Sequence, residues 1–424
     1  AFRLYRHFLP LLESRGLMHV FAKIEMPCLR ILANMELTGI RVLPAKLQKL
    51  SGLFEKELSD LETRIHTEVG HEFNINSPKQ LGEILFTERK LPPVKKTKTG
   101  FSTDNSVLEQ LAAEEADEIP QLILDFRSLA KLKNTYLDTL PRLINKKTAR
   151  IHTQYMQTGT ATGRLSSKDP NLQNIPVKSE NGRKIREAFV PEAGSFFISA
   201  DYSQIELVVL AHLSKDPLLT KAFTEGLDIH KLTAAIIFQT DLDKVTPDQR
   251  RMGKTVNFGT VYGMSAFRLA RDFKISRREA EEFIEAYFTR YTGVKSFRNH
   301  VITEAVKNGY VSTISGRTRK VQAIGSANRT ERAGAERIAF NTVIQGSAAD
   351  IVKIAMIRIN DYLMEKGLST RLLLQVHDEL ILESPEAESE KIQNAVKSIM
   401  EKAMELSVPL RVNIDCGESW GSIH

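Results

Sequence analysis

The sequence has few cysteines, no long apolar run and no repeated or low-complexity tract, and each shortage excludes a class of protein. Its two cysteines, Cys28 and Cys416, lie far apart without metal-ligand spacing, so neither a disulfide framework nor a zinc site is indicated and a reducing cytoplasm suits them. No apolar stretch approaches the roughly 20 residues a membrane span needs, so no membrane partner is expected. The opening AFRLYRHFLPLLESRG lacks the long apolar core of a secretory signal. It begins on Ala1 within a helical pattern, which suggests a fragment of a longer chain.

At 424 residues the chain exceeds what one hydrophobic core usually serves, so two or more subdomains are expected. Lysine and arginine exceed aspartate and glutamate by 59 to 52, a net charge of +7, which favours a polyanionic partner without requiring one.

Residues 1 to about 40 are helical in pattern. Leu47, Leu50, Phe54, Leu58, Leu61, Ile65 and Val69 then recur at three- to four-residue steps, the mark of a long amphipathic helix closed by Gly70. In FNINSPKQLGEILF, residues Ser77, Pro78 and Gln80 supply the N-cap, N1 and N3 of a capping box. Lys95, Lys96 and Lys98 lie among Pro, Thr and Gly, predicting a basic mobile loop that is either solvated surface or a phosphate contact. A helix over 121–145 carries Arg127, Lys131 and Lys133, and a β-rich texture begins at 150.

Two acidic places stand out. A strand from Phe196 to Ala200 leads into Asp201, and Ser203, Gln204, Ile205 and Glu206 open a helix with Glu206 at N3, as in a capping box. Asp201 is thus either a helix-capping acid or a carboxylate on a rigid strand end, suited to a cation. In RLLLQVHDELILESP, two apolar runs flank His377, Asp378 and Glu379, predicting a hairpin with a tight turn. The acids there are either a solvated tip or charges that need a cation, because burying charge unpaired is costly.

Between these places, Thr246, Pro247 and Gln249 start a further helix, along which Arg250, Lys254, Phe258 and Tyr262 follow at intervals of four. Two cations followed by two aromatics is the order a nucleoside triphosphate demands: charge for phosphates, then flat surfaces for sugar and base. An ordinary surface helix with two core aromatics is the alternative.

DYSQIE at 201–206, RRMGKTVNFGTVYG at 250–263 and VHDE at 376–379 resemble the three sequence motifs of family A DNA polymerases, as found in the large-fragment region of the bacterial members, in that family's order. TATGRLSSKDPNLQNIP at 160–176, DIHKLTA at 228–234 and ERIAFNTVIQGSAADIVK at 336–353 extend the likeness. The resemblance implies an α+β right-hand fold with a helical thumb, an antiparallel β-sheet palm and helical fingers. On that pattern 1–25 is the tail of an upstream exonuclease-like domain, 26–44 a palm or linker segment, 45–142 the thumb, 143–202 and 362–424 the palm, and 203–361 the fingers.

The same resemblance implies a DNA-directed DNA polymerase, a monomer acting on primer-template DNA and dNTPs in replication and repair. Two Mg²⁺ ions are implied, with Mn²⁺ as a substitute, held by Asp201, Asp378 and the Tyr202 backbone carbonyl. Glu379 takes a supporting role, and Lys254 a further one in protonating pyrophosphate. Arg250, Lys254, Phe258, Tyr262, His230, Gln204 and Glu206 fall at nucleotide-binding positions, with Glu206 as a gate against the ribose 2′-hydroxyl. Phe258, rather than tyrosine, implies weak use of dideoxynucleotides. Arg164, Gln173, Asn174, Lys131, Lys133, Arg337, Asn341, Gln345 and His377 fall at DNA-contacting positions, largely for minor-groove acceptors shared by all base pairs. Proofreading is not expected of this segment, since Asp60-Leu61-Glu62 falls on the amphipathic thumb helix. The alternatives are a single-subunit RNA polymerase-like enzyme, against which Glu206 argues, and a catalytically silent DNA-binding scaffold.

Overall fold

The computed structural model describes residues 2–97, 100–177, 179–261 and 263–423, so Lys98 and Tyr262 lie outside the described residues. Helices come first. Phe2–Ser14 is exposed, whereas Met26–Thr38 buries Cys28, Ile31, Leu32 and Met35 at helical spacing. The long amphipathic helix is Pro44–Val69, with Leu47, Leu50, Phe54 and Ile65 buried and Gly70 ending it at φ 90°, where a side chain would be strained.

Two local expectations change. The Ser77 hydroxyl does accept from the Gln80 N–H, but the Gln80 side chain turns back to the Asn74 N–H at 2.7 Å, so the reciprocal half of the capping box goes to the preceding loop. Within the basic segment Lys96–Thr97 pairs with Gly100–Phe101 as two short strands, and Lys95 is ion-paired to Asp104 at 2.8 Å. The predicted helix over 121–145 is Ile119–Leu132, continued by a wider turn to Leu137.

The centre is a four-stranded antiparallel sheet in the order Arg371–Val376, Glu379–Pro385, Ser195–Tyr202, Val412–Gly417. Strand side chains alternate between faces. Ile198, Ala200, Tyr202, Leu380, Leu382 and Val412 join the larger core, and Phe197, Val376 and Ile381 join a second core with Phe189 and Trp420. Each large aliphatic or phenylalanine side chain among them contributes about 1.5–3 kcal/mol through burial. With both faces covered, a one-residue slip would exchange the two cores, so the register is strongly specified.

Onto the larger core pack Ile205–Ser214, buried continuously from Ile205 to Ala211, and the 37-residue helix Arg329–Glu365. The boundary expected between 361 and 362 falls inside that helix, whose buried stripe runs on to Leu363. No helix among the described residues is long and apolar enough to cross a membrane. Both cysteines are free, Cys28 buried and Cys416 exposed.

Candidate active site

The sheet register places the acids. Asp201 sits directly opposite Glu379 on one side and Asn413 on the other. His377 and Asp378 form a two-residue turn closing the hairpin, His377 adopting φ 55°, and the Tyr202 N–H donates to the Asp378 carbonyl at 3.3 Å. Residues 201 and 378, far apart in the chain, are therefore neighbours at one end of the sheet. The Tyr202 phenol points into the core and donates to the Met400 carbonyl at 2.8 Å, leaving only its backbone at the acid end. Glu379 is buried and accepts from the Ser199 hydroxyl at 2.6 Å.

Burial pushes the Asp378 carboxyl above its usual range, an effect opposed by the nearby Arg164 guanidinium. Burial also lowers the His377 imidazole, helped by Arg164. No cluster of three or more His, Cys, Asp or Glu suited to a metal occurs among the described residues. Asp201 and Asp378 supply hard oxygen donors, and a cation beside Asp378 would offset the cost of its buried charge. The residues fit Mg²⁺, which takes few protein carboxylates and retains other oxygen ligands.

The helix after Asp201 departs from expectation. It begins at Ile205, so Glu206 is its second residue, and Gln204 occupies the N-cap at φ 56° with no side-chain capping bond. Glu206 is therefore not at the N3 place of a capping box. It is only 2% exposed and is ion-paired with Arg164, the partner a buried carboxylate requires. The buried side-chain oxygen of Gln204 has no hydrogen-bond partner among the described residues.

Opposite in charge is the helix Pro247–Val261, whose predicted capping box is present: Gln249 N–H donates to the Thr246 hydroxyl at 3.2 Å, and Thr246 N–H to the Gln249 side chain at 3.0 Å. Arg250 and Lys254 are exposed and Phe258 is half-buried. Arg250 donates to Asp228 at 2.6 Å, and Asp228 in turn caps the helix Ile229–Ile237. The two helices touch at Gly253, where a Cβ would lie 2.3 Å from the His230 carbonyl. That close approach brings the His230 ring within 5.7 Å of Phe258.

His230 is nearly fully buried, and burial, reinforced by Lys254, lowers it to about 4, so it is neutral at pH 7. The Asn257 amide is oriented by Thr233, which donates to its oxygen at 2.9 Å, so its nitrogen donates to His230 Nδ1 at 3.1 Å and the ring proton lies on Nε2.

A cleft beside this helix is lined by Lys254, Phe258 and Arg337 together with Arg251 and Arg268. The last two were missed, although Arg251 lies inside the quoted RRMGK segment. Arg337, Asn341 and Gln345 recur every four residues along Arg329–Glu365, Arg337 exposed and the others half-buried, and the Asn341 side-chain oxygen has no partner among the described residues. Asn174 and Lys131 are exposed. Two expected DNA contacts are not presented outward. Gln173 is buried and donates to the Gln375 carbonyl and side chain at 3.0 and 3.1 Å. Lys133 is held by Glu55 at 2.6 Å and Asp138 at 3.0 Å.

A family model described as DNA polymerase family A matches residues 44–422. DNA polymerase I of Treponema pallidum is 52% identical over all of the chain and 42% of its own length, and that of Geobacillus stearothermophilus 49% identical over 95% of the chain and 46% of its own. The chain thus spans about half the length of the curated relatives it matches. A solved structure, the POL domain of Pol1 from M. smegmatis in complex with DNA primer-template and dNTP, aligns with a TM-score of 0.93 at 42% identity, over 97% of this chain and 72% of that one. With sheet, helices and motif residues arranged as described, the chain belongs to DNA polymerase family A.

Proposed function

We propose that the chain is a DNA-directed DNA polymerase that joins a dNTP to a primer 3′-hydroxyl and releases pyrophosphate. The observation that carries this reading is the register that sets Asp201 beside Asp378 at one sheet end. Asp201, Asp378 and the Tyr202 carbonyl would hold two Mg²⁺ ions, or Mn²⁺ in their place. Bound there, such ions activate the attacking hydroxyl and stabilise the departing phosphates.

The chain's own residues do the rest. Lys254 and Arg250 present charge to the triphosphate, and neutral His230 offers an Nε2–H donor to a phosphate oxygen. Phe258 supplies a flat surface for the sugar, and Tyr262 the corresponding surface for the template base. Glu206, fixed by Arg164, stands where a ribose hydroxyl would crowd it. Arg337, Asn341, Gln345, Asn174 and His377 would follow the duplex, with Glu379 supporting the acid end. In hand terms the thumb is 45–142, the palm comes from 143–202 and 362–424, and the fingers are the insertion between, with Arg329–Glu365 shared across the second junction. A monomer in the cytoplasm is the proposed setting; the relatives named above are bacterial.

Primer extension with Mg²⁺ tests the reading: template-directed growth is expected with dNTPs and none with EDTA, and a chain that binds primer-template without extending it would be a scaffold. Equal incorporation of ribonucleotides and deoxynucleotides would favour the RNA polymerase alternative instead.

A further inference from the structure

Against the turn that presents Arg164 lies a cluster of four charges, two buried and two partly buried, with no place in the site described above. Arg317 donates through Nε and Nη2 to Asp350 Oδ1 at 2.9 and 2.7 Å, and the other Asp350 oxygen accepts from the Thr313 hydroxyl at 2.6 Å. Arg317 also pairs with Glu25, to which Lys353 donates at 2.8 Å. Asp350 is 0% and Lys353 1% exposed. Two cations and two anions cancel, yet a largely buried ionic cluster is often no better for stability than apolar packing of the same volume. What it does supply is a fixed geometry.

That geometry bears on one turn. Gly163 has φ +83°, and a Cβ there would lie 2.7 Å from Arg317 Nε, so the backbone rests directly on the guanidinium. From below, Gly346 lets the long helix approach: a Cβ there would meet Thr313 at 2.6 Å and the Thr162 carbonyl at 3.1 Å. The Thr160 hydroxyl closes the turn on the Arg164 carbonyl at 2.8 Å. The next side chain out of this turn is Arg164, which holds Glu206.

We propose that Arg317, locked by Asp350, is a positioning residue for the nucleotidyl transfer: it sets the height of the Gly163 turn, and with it the place where Arg164 meets Glu206 and the primer terminus. The proposal rests on the polymerase reading. It touches no substrate and acts through Arg164 alone, which makes it separable from a general stability role.

The test is a double-mutant cycle between Asp350→Asn and Arg164→Ala, read by kcat, KM for dNTP and primer-template Kd. Asp350→Asn alone is expected to lower kcat/KM by about 10- to 100-fold, the size of a displacement near 1 Å, with Kd within about 3-fold. In the Arg164→Ala background the same substitution is expected to cost less than about 3-fold, because the side chain it positions is already gone. Equal losses in both backgrounds would overturn the proposal while leaving the polymerase reading intact; an unmutated chain that extends no primer would overturn both. If Asp350→Asn unfolds the protein, Arg317→Lys, which keeps the charge but not the planar fork, takes its place in the cycle. Unfolding of both variants would assign the cluster to stability and refute positioning.

Discussion

The acid end of the sheet and the basic face of the helix Pro247–Val261 solve opposite electrostatic problems by opposite means. Asp201 sits in a strand of a ladder whose two faces are both buried and Asp378 in the tight turn beside it, tied by its carbonyl to the Tyr202 N–H, so neither backbone can shift without breaking hydrogen bonds. The cations stand exposed on a helix fastened by its own cap, by Asp228 and by the Gly253 contact. The proposed pair of cations, roughly 3.5–4 Å apart, would tolerate little error in ligand position. Phosphates met by long side chains tolerate more. Rigidity is therefore concentrated at the acids, and adaptability at the helix.

The sharpest way to break this contrast is to substitute both sides and compare. Asp201→Ala or Asp378→Ala should lower the extension rate by about 10³-fold or more, since a lost cation ligand removes several kcal/mol of transition-state stabilisation. Primer-template affinity should remain within a few-fold. Substantial activity in either variant would show that the cation is held elsewhere. Lys254→Ala should cost less, about 100-fold in kcat/KM for dNTP, as expected for one charge-assisted contact that strengthens in the transition state. A loss as deep as that of the aspartates would mean the helix is as intolerant as the sheet.

The two regions also differ in how far the sequence disclosed them. Local patterns were legible: the Pro44–Val69 helix from its apolar spacing, the Thr246–Gln249 capping box, and the hairpin around His377 from two apolar runs. Pairings across the chain left no periodic trace. Nothing local to Val412–Gly417 says that it borders Ser195–Tyr202, nor does Glu206 at a helix start announce Arg164 as its partner. The capping-box reading of Glu206 failed because Gln204 takes a left-handed conformation that moves the helix start by one residue. Gln173 and Lys133 matched family positions, yet both are engaged internally, which only tertiary packing decides. The motif resemblance, rather than periodicity, brought the acids together in advance of the fold.

A smaller effect probes the helix side alone. His230 stays neutral down to about 4 because it is buried beside Lys254, whereas the unfolded imidazole takes its proton near 6.5. Below pH 6.5 the unfolded state binds a proton that the folded state refuses, so stability falls as pH drops toward 4 and is unaffected above 7. At pH 5 the loss amounts to roughly 2 kcal/mol. Urea unfolding at pH 7 and pH 5 should show His230→Gln losing less than the parent over that interval; parallel losses would mean that the imidazole is reached by solvent.

The smallest expected effect separates two lysines that the sequence treats alike. Lys131 and Lys133 lie two residues apart, but Lys131 is exposed while Lys133 is clamped by Glu55 and Asp138, and these carboxylates hold its ammonium above the ordinary range. A phosphate must displace a carboxylate to reach Lys133, whereas no ion pair holds Lys131 among the described residues. Lys131→Ala should therefore weaken primer-template binding a few-fold and reduce the slope of log Kd against log salt by about 1. Lys133→Ala should leave that slope unchanged and instead cost about 1 kcal/mol of stability, the upper end for an ion pair with solvent-facing carboxylate partners. If both substitutions flatten the salt slope equally, the Glu55–Lys133–Asp138 clamp opens when the duplex binds, and this surface is as adaptable as the exposed cations of the basic helix are argued to be.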